Sequence, residues 1–332
     1  MEILFEVKNS TGIITLNRPN ALNALNLNMA IQFSNKLREW ENNNKIERVL
    51  LMGKGKHFCA GGDVKSVHLS GPFSKLKSEF FSKEYSLNLQ IKKFPKPYLS
   101  IWQGVVMGGG VGLSIYGDYR ITTESTKFAM PETSIGFFPD VGASFFLSRL
   151  DNNIGKYLGL TGELIQSKDL INFGLATNFC PEDKIDKLIT QYIIDGSVSN
   201  YETETSSNFS NEKLNLIKKN FSGDIYEIFN NIRALNDQEK LISKLQSKCP
   251  MSLAVTTLLI EDSLNRTLKE CLEIEYRLSQ KMVNRHDFGE GIEAVLIEKH
   301  HNPRWEPNSI KDIIKDDLEK LFSSTIDNEL KL

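Results

Sequence analysis

The sequence is poor in several features that mark common classes of protein. No apolar run approaches the ~18 residues of a membrane-spanning helix. The 40 Lys and Arg residues are balanced by 42 Asp and Glu, which leaves a formal net charge of -2. This balance provides no basic field for nucleic acid or an anionic membrane, so neither is expected as a partner. The overall profile is that of a soluble globular enzyme.

Cysteine and histidine are scarce and widely spaced. The four cysteines, Cys59, Cys180, Cys249 and Cys271, share no metal-ligand spacing and no disulfide pattern, which indicates a reducing compartment. The five histidines form no H-x-x-H or H-E-x-x-H motif, so no metal site is predicted. Cys59 is expected to be a packed small thiol rather than a nucleophile, because only His57 stands beside it as a base.

Two glycine-rich turns are present, at residues 58–63 (FCAGGD) and 107–112 (MGGGVG). Neither has the dinucleotide pattern G-x-G-x-x-G with a following acid, nor the phosphate-binding pattern G-x-x-x-x-G-K-[ST]. A single turn of this kind is more often a tight bend or a close packing contact. As a pair, the turns can direct backbone N–H groups at one point, which is the arrangement of an oxyanion hole.

Two carboxylates lie in an apolar segment shortly after the second turn. Residues 128–142 (FAMPETSIGFFPDVG) contain Glu132 and Asp140 among Met, Ile, Phe and Val side chains. Because an isolated buried acid is unfavourable, such residues are candidates for acyl chemistry. A structural cap or a buried ion pair is the alternative interpretation.

Strand and helix patterns alternate in the amino-terminal part, and helical patterns dominate later, so an α/β fold is predicted. Strands are predicted at 3–7, 12–16, 48–52, 98–102 and 119–122. Helices are predicted at 25–40 with Asn26 or Asn28 as the cap, at 74–91, from 111–116, and at 144–160 and 167–173. The polar stretch 203–210 is predicted to be a linker or loop, followed by helices at 212–219, 224–231, 237–248, 251–267 and 268–285.

At these residues the chain resembles the crotonase (enoyl-CoA hydratase/isomerase) superfamily, and most closely its 3-hydroxyisobutyryl-CoA hydrolase family. Residues 15–19 and 21–25, both glycine turns and the segment 128–142 carry the general likeness. Residues 274–280 (IEYRLSQ), with 286–288 (HDF) and 290–291 (EG), look specific to the hydrolases.

The resemblance implies a crotonase-like spiral core of repeated ββα units with two roughly perpendicular sheets over residues 1–190. A mainly helical carboxy-terminal region, 191–332, would pack on this core. The implied substrate is a CoA thioester, and no cofactor or metal is implied because CoA enters as part of the substrate. Crotonase relatives often form trimers or hexamers, so a homo-oligomer is an open expectation.

Roles for the glycine turns follow by position from the same resemblance. The N–H groups of Gly62 and Gly109 would hold the thioester oxygen. Ala60 and Gly61 stand where the family's loop runs along the adenine and pantetheine. Asp63 and Gly108, in the same two turns, are also assigned to substrate binding.

Roles for three acids follow in the same way. Glu132 stands where hydratases and hydrolases both carry a catalytic glutamate, whereas Asp140 stands where hydrolases carry aspartate and hydratases carry glycine. Glu84 matches a substrate-contacting glutamate that reaches the 3-hydroxyl. Its spacing alone says little, and on a solvent-facing helix it would be an ordinary surface charge. The place of Gly112 is taken by a second glutamate in hydratases.

The implied reaction is hydrolysis of 3-hydroxyisobutyryl-CoA, a step of valine breakdown, with Glu132 as nucleophile or as the base that activates water. A hydratase or isomerase, and a silent acyl-CoA-binding protein, are the rival interpretations. The family is commonly mitochondrial, but Met1 to Val7 reads as a strand and not as a presequence, so a cytosolic location is equally open. The ending Leu330-Lys331-Leu332 resembles the peroxisomal S-K-L signal only loosely.

Overall fold

The computed structural model describes residues 1–72, 74–202, 206–323 and 325–332. The chain divides into two compact units, each assembled from three segments. The first comprises residues 1–63, 86–129 and 164–208, and the second comprises 64–85, 130–163 and 209–332. The boundary expected after residue 190 separates the family's spiral core from the helical carboxy-terminal region. These two compact units divide the chain differently and do not test that boundary, so it stays a prediction.

Eight strands and fifteen α-helices are found in the described residues. The strands are β1 (Ile3–Lys8), β2 (Thr11–Leu16), β3 (Arg48–Gly53), β4 (Tyr98–Trp102), β5 (Val105–Met107), β6 (Tyr119–Thr122), β7 (Lys127–Ala129) and β8 (Asn178–Phe179). The helices are α1 (Leu27–Glu41), α2 (Val64–Leu69), α3 (Leu76–Lys93), α4 (Gly109–Gly112), α5 (Ala143–Leu147), α6 (Ile154–Thr161), α7 (Ser167–Asn172), α8 (Ile185–Asp195), α9 (Asn211–Asn220), α10 (Ile225–Arg233), α11 (Glu239–Gln246), α12 (Pro250–Asp262), α13 (Leu268–Met282), α14 (His286–Ile292) and α15 (Lys315–Ser323). Short 3₁₀ turns occur at Pro19–Ala21, Glu132–Ile135, Asp151–Asn153, Glu182–Lys184 and Ile310–Asp312, and a π turn at Glu293–Ile297.

The first unit contains both sheets. A six-stranded sheet has the order β1-β2-β3-β4-β6-β8, and β5 pairs with β7 in a second sheet. Among the strand pairs of the described residues, β1–β2 is the antiparallel one, as expected for the predicted hairpin. The other pairs are parallel, so their strands are joined by crossovers that contain helices. Side chains of β3, β4 and β6 form a core with apolar residues of α8.

Helix α1 begins where its cap predicts. The Asn26 side chain accepts a hydrogen bond from the Met29 N–H at 2.9 Å, which satisfies one donor of the first turn. The helix starts two residues later than its apolar pattern suggests, because Leu25 pairs with Gly62 in an isolated bridge. Of the two asparagines considered, Asn26 is therefore the cap.

The second unit is helical, which agrees with the predicted carboxy-terminal helices. A continuous helix over 144–160 is wrong, because Asn152 and Asn153 adopt left-handed φ angles of 57° and 63° and separate α5 from α6. Asparagine tolerates this conformation better than most residues. The helix expected to end at residue 267 ends at Asp262, since Thr267 and Glu270 form a capping box that starts α13.

The predicted helix from residue 111 also differs, because α4 begins at Gly109 and ends at Gly112. Of the loop predicted at 203–210, residues 203–205 lie outside the described residues, and Ser210 caps α9. No helix in the described ranges is both long and apolar enough to cross a membrane.

Candidate active site

The two glycine turns lie side by side in the first unit. Cys59 pairs with Val106 in a parallel bridge, and the Met107 N–H donates to the Cys59 carbonyl at 3.0 Å. A Cβ atom on Gly61, whose φ is 125°, would lie 3.5 Å from the Met107 carbonyl oxygen, and one on Gly110 would lie 2.5 Å from the Cys59 carbonyl oxygen. Glycine is therefore needed where one backbone approaches the other.

The backbone pairing around the first turn leaves the Gly62 N–H out of that pairing. Leu25 donates to the Gly61 carbonyl at 2.9 Å and accepts from the Asp63 N–H at 2.7 Å. In such a parallel bridge the central residue, Gly62, directs its own N–H away from the partner strand. Gly109 is the first residue of α4, so its N–H has no acceptor within that helix.

Side chains around the first turn hold it in place. The Asp63 carboxylate forms an ion pair with the Arg18 guanidinium at 3.0 Å. The contact between Asp63 and the substrate stays a prediction. The Cys59 thiol is buried and donates to the Asn23 carbonyl at 3.2 Å, which agrees with a packed thiol. His57 accepts from the Val105 N–H through Nδ1 at 3.2 Å and therefore has a structural contact.

The three predicted acids come together in the second unit. Glu132 begins the 3₁₀ turn Glu132–Ile135, Asp140 follows that turn, and Glu84 lies on α3. The alternative of an ordinary surface charge is wrong for Glu84, because this residue is only 2% exposed. Electrostatic interactions link Glu84 to both Asp140 and Glu132. The three carboxyls, Glu84, Glu132 and Asp140, form what we call the acid cluster.

Hydrogen bonding within the acid cluster is uneven. The Tyr85 hydroxyl donates to Asp140 Oδ2 at 2.7 Å. Glu84 Oε1 and Glu132 Oε2 are buried without a hydrogen-bond partner among the described residues. Buried polar atoms are nearly always paired in folded proteins. These two oxygens are therefore the atoms that we expect to accept a hydrogen bond from a substrate hydroxyl or a water.

Burial raises the pKa values of the whole cluster. Burial, followed by the charges of Asp140 and Glu132, raises the pKa of Glu84 well above its ordinary value. Burial and the charge of Asp140 do the same to the pKa of Glu132. Burial raises the pKa of Asp140 to about 7, against the opposing effect of the Tyr85 hydrogen bond. Carboxyls of this kind can hold or release a proton near neutral pH.

Aromatic rings supply the apolar surroundings that cause this burial. Phe81, on α3, stacks on Phe137 with ring centroids 5.5 Å apart. Phe137 in turn stacks on Phe138 at 4.5 Å. These rings exclude water from the segment between Glu132 and Asp140, which disfavours the charged form of both acids.

Two residues of this site were missed by the sequence interpretation. Tyr85 gives no signal beyond its place next to Glu84, because its partner Asp140 is 55 residues away. Glu275 lies in the segment 274–280 that looked specific to the hydrolases, but no role was assigned to it. Among the described residues, no group of three or more His, Cys, Asp or Glu side chains is arranged to hold a metal ion.

Comparison with known proteins gives a consistent result. Residues 11–322 match the enoyl-CoA hydratase/isomerase family model. The chain is 39% identical to a mitochondrial 3-hydroxyisobutyryl-CoA hydrolase of Danio rerio, over all of this chain and 92% of that protein. It is also 39% identical to the one of Homo sapiens, over 99% of this chain and 90% of that protein.

Among solved structures, a carnitinyl-CoA dehydratase from Mycobacterium thermoresistibile is 34% identical and superposes with a TM-score of 0.93, covering 99% of this chain and 98% of that one. The crotonase-like α/β fold is thereby confirmed. The near-complete coverage and the identity to the hydrolases show that this chain belongs to the 3-hydroxyisobutyryl-CoA hydrolase family of the crotonase superfamily.

Proposed function

We propose that this protein hydrolyses 3-hydroxyisobutyryl-CoA to 3-hydroxyisobutyrate and CoA, a step of valine catabolism, and accepts 3-hydroxypropionyl-CoA as a second substrate. The observation that carries the proposal is the buried pair Glu132 and Asp140, since burial raises the pKa of Asp140 to about 7. Two carboxyls in such surroundings can divide the roles of proton acceptor and proton donor. The names of the relatives support the same reaction.

The glycine turns would stabilise the charge that develops on the thioester oxygen. The N–H groups of Gly62 and Gly109 are the proposed donors, and each preorganised donor of this kind can contribute about 3 to 4 kcal/mol. Ala60, Gly61 and Gly108, together with Asp63, would contact the CoA part of the substrate. The close backbone packing of the two turns supports this role, because it fixes the donors before the substrate binds.

The acid cluster would carry out the bond changes. Hydrolysis forms a bond between the carbonyl carbon and a water oxygen and breaks the bond between that carbon and sulfur. Glu132 either attacks the carbon, which gives a mixed anhydride that water then cleaves, or removes a proton from the attacking water. Asp140 positions the water or the 3-hydroxyl and shares the proton transfer, so that the proton lost by the water reaches the CoA thiolate. Both routes need no metal and no redox cofactor.

Glu84 is the proposed ligand of the substrate's 3-hydroxyl group. Its Oε1 atom is buried and lacks a partner among the described residues. A hydroxyl that donates to this oxygen would remove the cost of leaving it unpaired. An acyl chain without the 3-hydroxyl would leave that oxygen unpaired, and this favours 3-hydroxyacyl esters over simple ones.

Release of free CoA thiol from a panel of esters tests the proposal. We expect 3-hydroxyisobutyryl-CoA to be hydrolysed fastest and 3-hydroxypropionyl-CoA next, since one methyl group in a pocket is worth only about 1 to 3 kcal/mol. Glu132→Gln and Asp140→Asn should each lower turnover about a hundredfold or more, with fold and CoA binding retained. Faster hydrolysis of a long-chain acyl-CoA, or near-normal turnover in a folded acid variant, would contradict the assignment.

A hydratase or dehydratase is the second candidate, and the likeness to a carnitinyl-CoA dehydratase structure favours it. Loss of the double-bond absorbance of crotonyl-CoA would identify this activity. A homo-oligomer is also proposed, on the family resemblance alone, and light scattering on the purified protein tests it.

A further inference from the structure

Glu275 is a buried acid that the proposed reaction does not use. It lies on α13 and is 0% exposed. Its Oε2 atom accepts a hydrogen bond from the Gly142 N–H at 2.6 Å. Its Oε1 atom accepts from the Ser144 N–H at 3.0 Å and from the Ser144 hydroxyl at 2.6 Å. Both carboxylate oxygens are thus engaged by the one turn that follows Asp140.

That turn has a backbone conformation that requires support. Val141 has a φ of 56°, and a β-branched residue in the left-handed region is under strain of about 1–3 kcal/mol. Gly142 follows with a φ of 80°. The turn also starts α5, where the Ala143 N–H donates to the Asp140 carbonyl at 2.9 Å and the Ser144 N–H has Glu275 as its acceptor. Three hydrogen bonds accepted by the Glu275 side chain therefore stabilise a conformation that the local sequence disfavours.

Helix α13 reaches Asp140 by a second route as well. The ring of Tyr276, the residue after Glu275, packs edge-on against Tyr85 with centroids 6.5 Å apart. Tyr85 is the residue that donates to Asp140 Oδ2. The backbone next to Asp140 and the partner of its carboxyl are consequently both held by consecutive residues of α13.

We propose that Glu275 is a positioning residue for the Asp140 carboxyl. It acts through the backbone of residues 141–144 and does not touch the substrate. The proposal rests on the hydrolase function proposed above, because it assumes that Asp140 takes part in the reaction. The alternative is that Glu275 only caps α5, in which case its loss would lower stability without changing turnover in the folded protein.

The Glu275→Gln variant separates the two roles. A glutamine side chain keeps the volume but presents an NH₂ group to a donor, so the turn loses at least one bond. We expect kcat to fall about tenfold to a hundredfold, as for other small misplacements of a catalytic group, with KM changed less than threefold. The matched control is Glu273→Gln on the same helix, where the Glu273 carboxylate accepts from the Leu332 N–H at 3.0 Å and lies 3.9 Å from the Lys269 ammonium. The control should keep wild-type kcat.

Hydrogen exchange provides a measurement that does not depend on activity. In Glu275→Gln, the amides of residues 142–144 should exchange at least tenfold faster than in the wild type, with the rest of α13 unchanged. Ser144→Ala removes the hydroxyl that donates to Glu275, and it should change kcat and the exchange rates in the same direction by a smaller amount. If Glu275→Gln does not fold, Ser144→Ala replaces it in both measurements. Wild-type kcat in a folded variant with faster exchange would overturn the positioning role. Unchanged exchange would overturn it too. A wild-type protein that releases no thiol would refute the hydrolase function. The exchange rates would still show whether Glu275 stabilises the turn at residues 142–144.

Discussion

At the scale of single residues, the acid cluster is placed at the expense of stability. Glu84, Glu132 and Asp140 are buried among aromatic rings, and burial raises the pKa of each. A neutral side chain of the same shape would fit these surroundings better than a carboxylate does. Such groups bind protons more tightly in the folded protein than in the unfolded chain. The free energy of unfolding therefore depends on pH.

The sign of that dependence can be worked out for Asp140. An unfolded aspartate loses its proton near pH 4, whereas burial raises the pKa of Asp140 in the fold to about 7. Stability linked to this group is fully present below about pH 4 and is lost as the pH rises to 7, at about 1.4 kcal/mol per pKa unit. Asp140→Asn should therefore gain stability relative to wild type between pH 4.5 and 8, as measured by urea unfolding.

Asp195→Asn is a control for this measurement, because the titration of Asp195 lies below this pH range. Hydrogen bonds from Ser197 lower the pKa of Asp195, which is on the surface. Its stabilising effect is fully present above the unfolded pKa, near pH 4, and is lost only as the pH falls below that value. The stability difference between Asp195→Asn and wild type should therefore stay constant between pH 4.5 and 8. A constant difference between Asp140→Asn and wild type across this pH range would contradict the assigned burial effect.

At the scale of elements, α14 supports the turn that carries Glu132. A Cβ atom on Gly136, whose φ is 68°, would lie 2.2 Å from the Asp287 carbonyl oxygen. A Cβ atom on Gly291 would lie 2.4 Å from the Ile135 carbonyl carbon. Backbone thus packs on backbone at two points, so residues 286–288 and 290–291, which looked specific to the hydrolases, lie against the turn that carries Glu132.

Gly136→Ala tests this contact. The substitution brings the strain of a left-handed alanine, about 1–2 kcal/mol, and in addition a clash with α14 that must move the turn. Gly174→Ala is the matched control, because Gly174 has a φ of 69° and nothing within 4 Å of the added atom. We expect Gly136→Ala to lose more stability in urea unfolding than the control and to lower kcat as well. Equal losses and wild-type kcat in both would show that α14 does not set the turn.

At the scale of the whole molecule, the two residues that we expect to distinguish hydrolysis from hydration come from distant stretches of the chain. Gly112 ends α4 in the first unit, where hydratases of the superfamily carry a second glutamate by resemblance. Asp140 belongs to the second unit and stands where hydratases carry glycine. From the resemblance, we expect an acid at residue 140 in place of one at residue 112 to favour attack on the thioester over addition to an alkene.

The ranking of two rates checks this conclusion. Without a second acid at Gly112, hydration loses a general acid–base contribution of about a hundredfold to ten-thousandfold. Crotonyl-CoA should therefore lose little double-bond absorbance, while 3-hydroxyisobutyryl-CoA releases thiol rapidly under the same conditions. Faster hydration than thiol release would place the chain with the hydratases in function.

The features that depend on neighbours along the chain could be predicted from the sequence. The hairpin of β1 and β2, the Asn26 cap and the setting of the acids among apolar residues were all predicted correctly. Each follows from periodicity or from a capping side chain, which act over a few residues.

The contacts between residues far apart in the sequence could not be predicted in this way and are seen in the folded structure. The partners of Glu275 lie 131 and 133 residues away, and the burial of Glu84 depends on surroundings that its own helix does not contain. The break at Asn152 and Asn153 likewise contradicted a helical pattern that continued on both sides. Local patterns carry no information about such pairs, because the free energy that places a buried charge comes from the atoms packed around it and not from its neighbours in sequence.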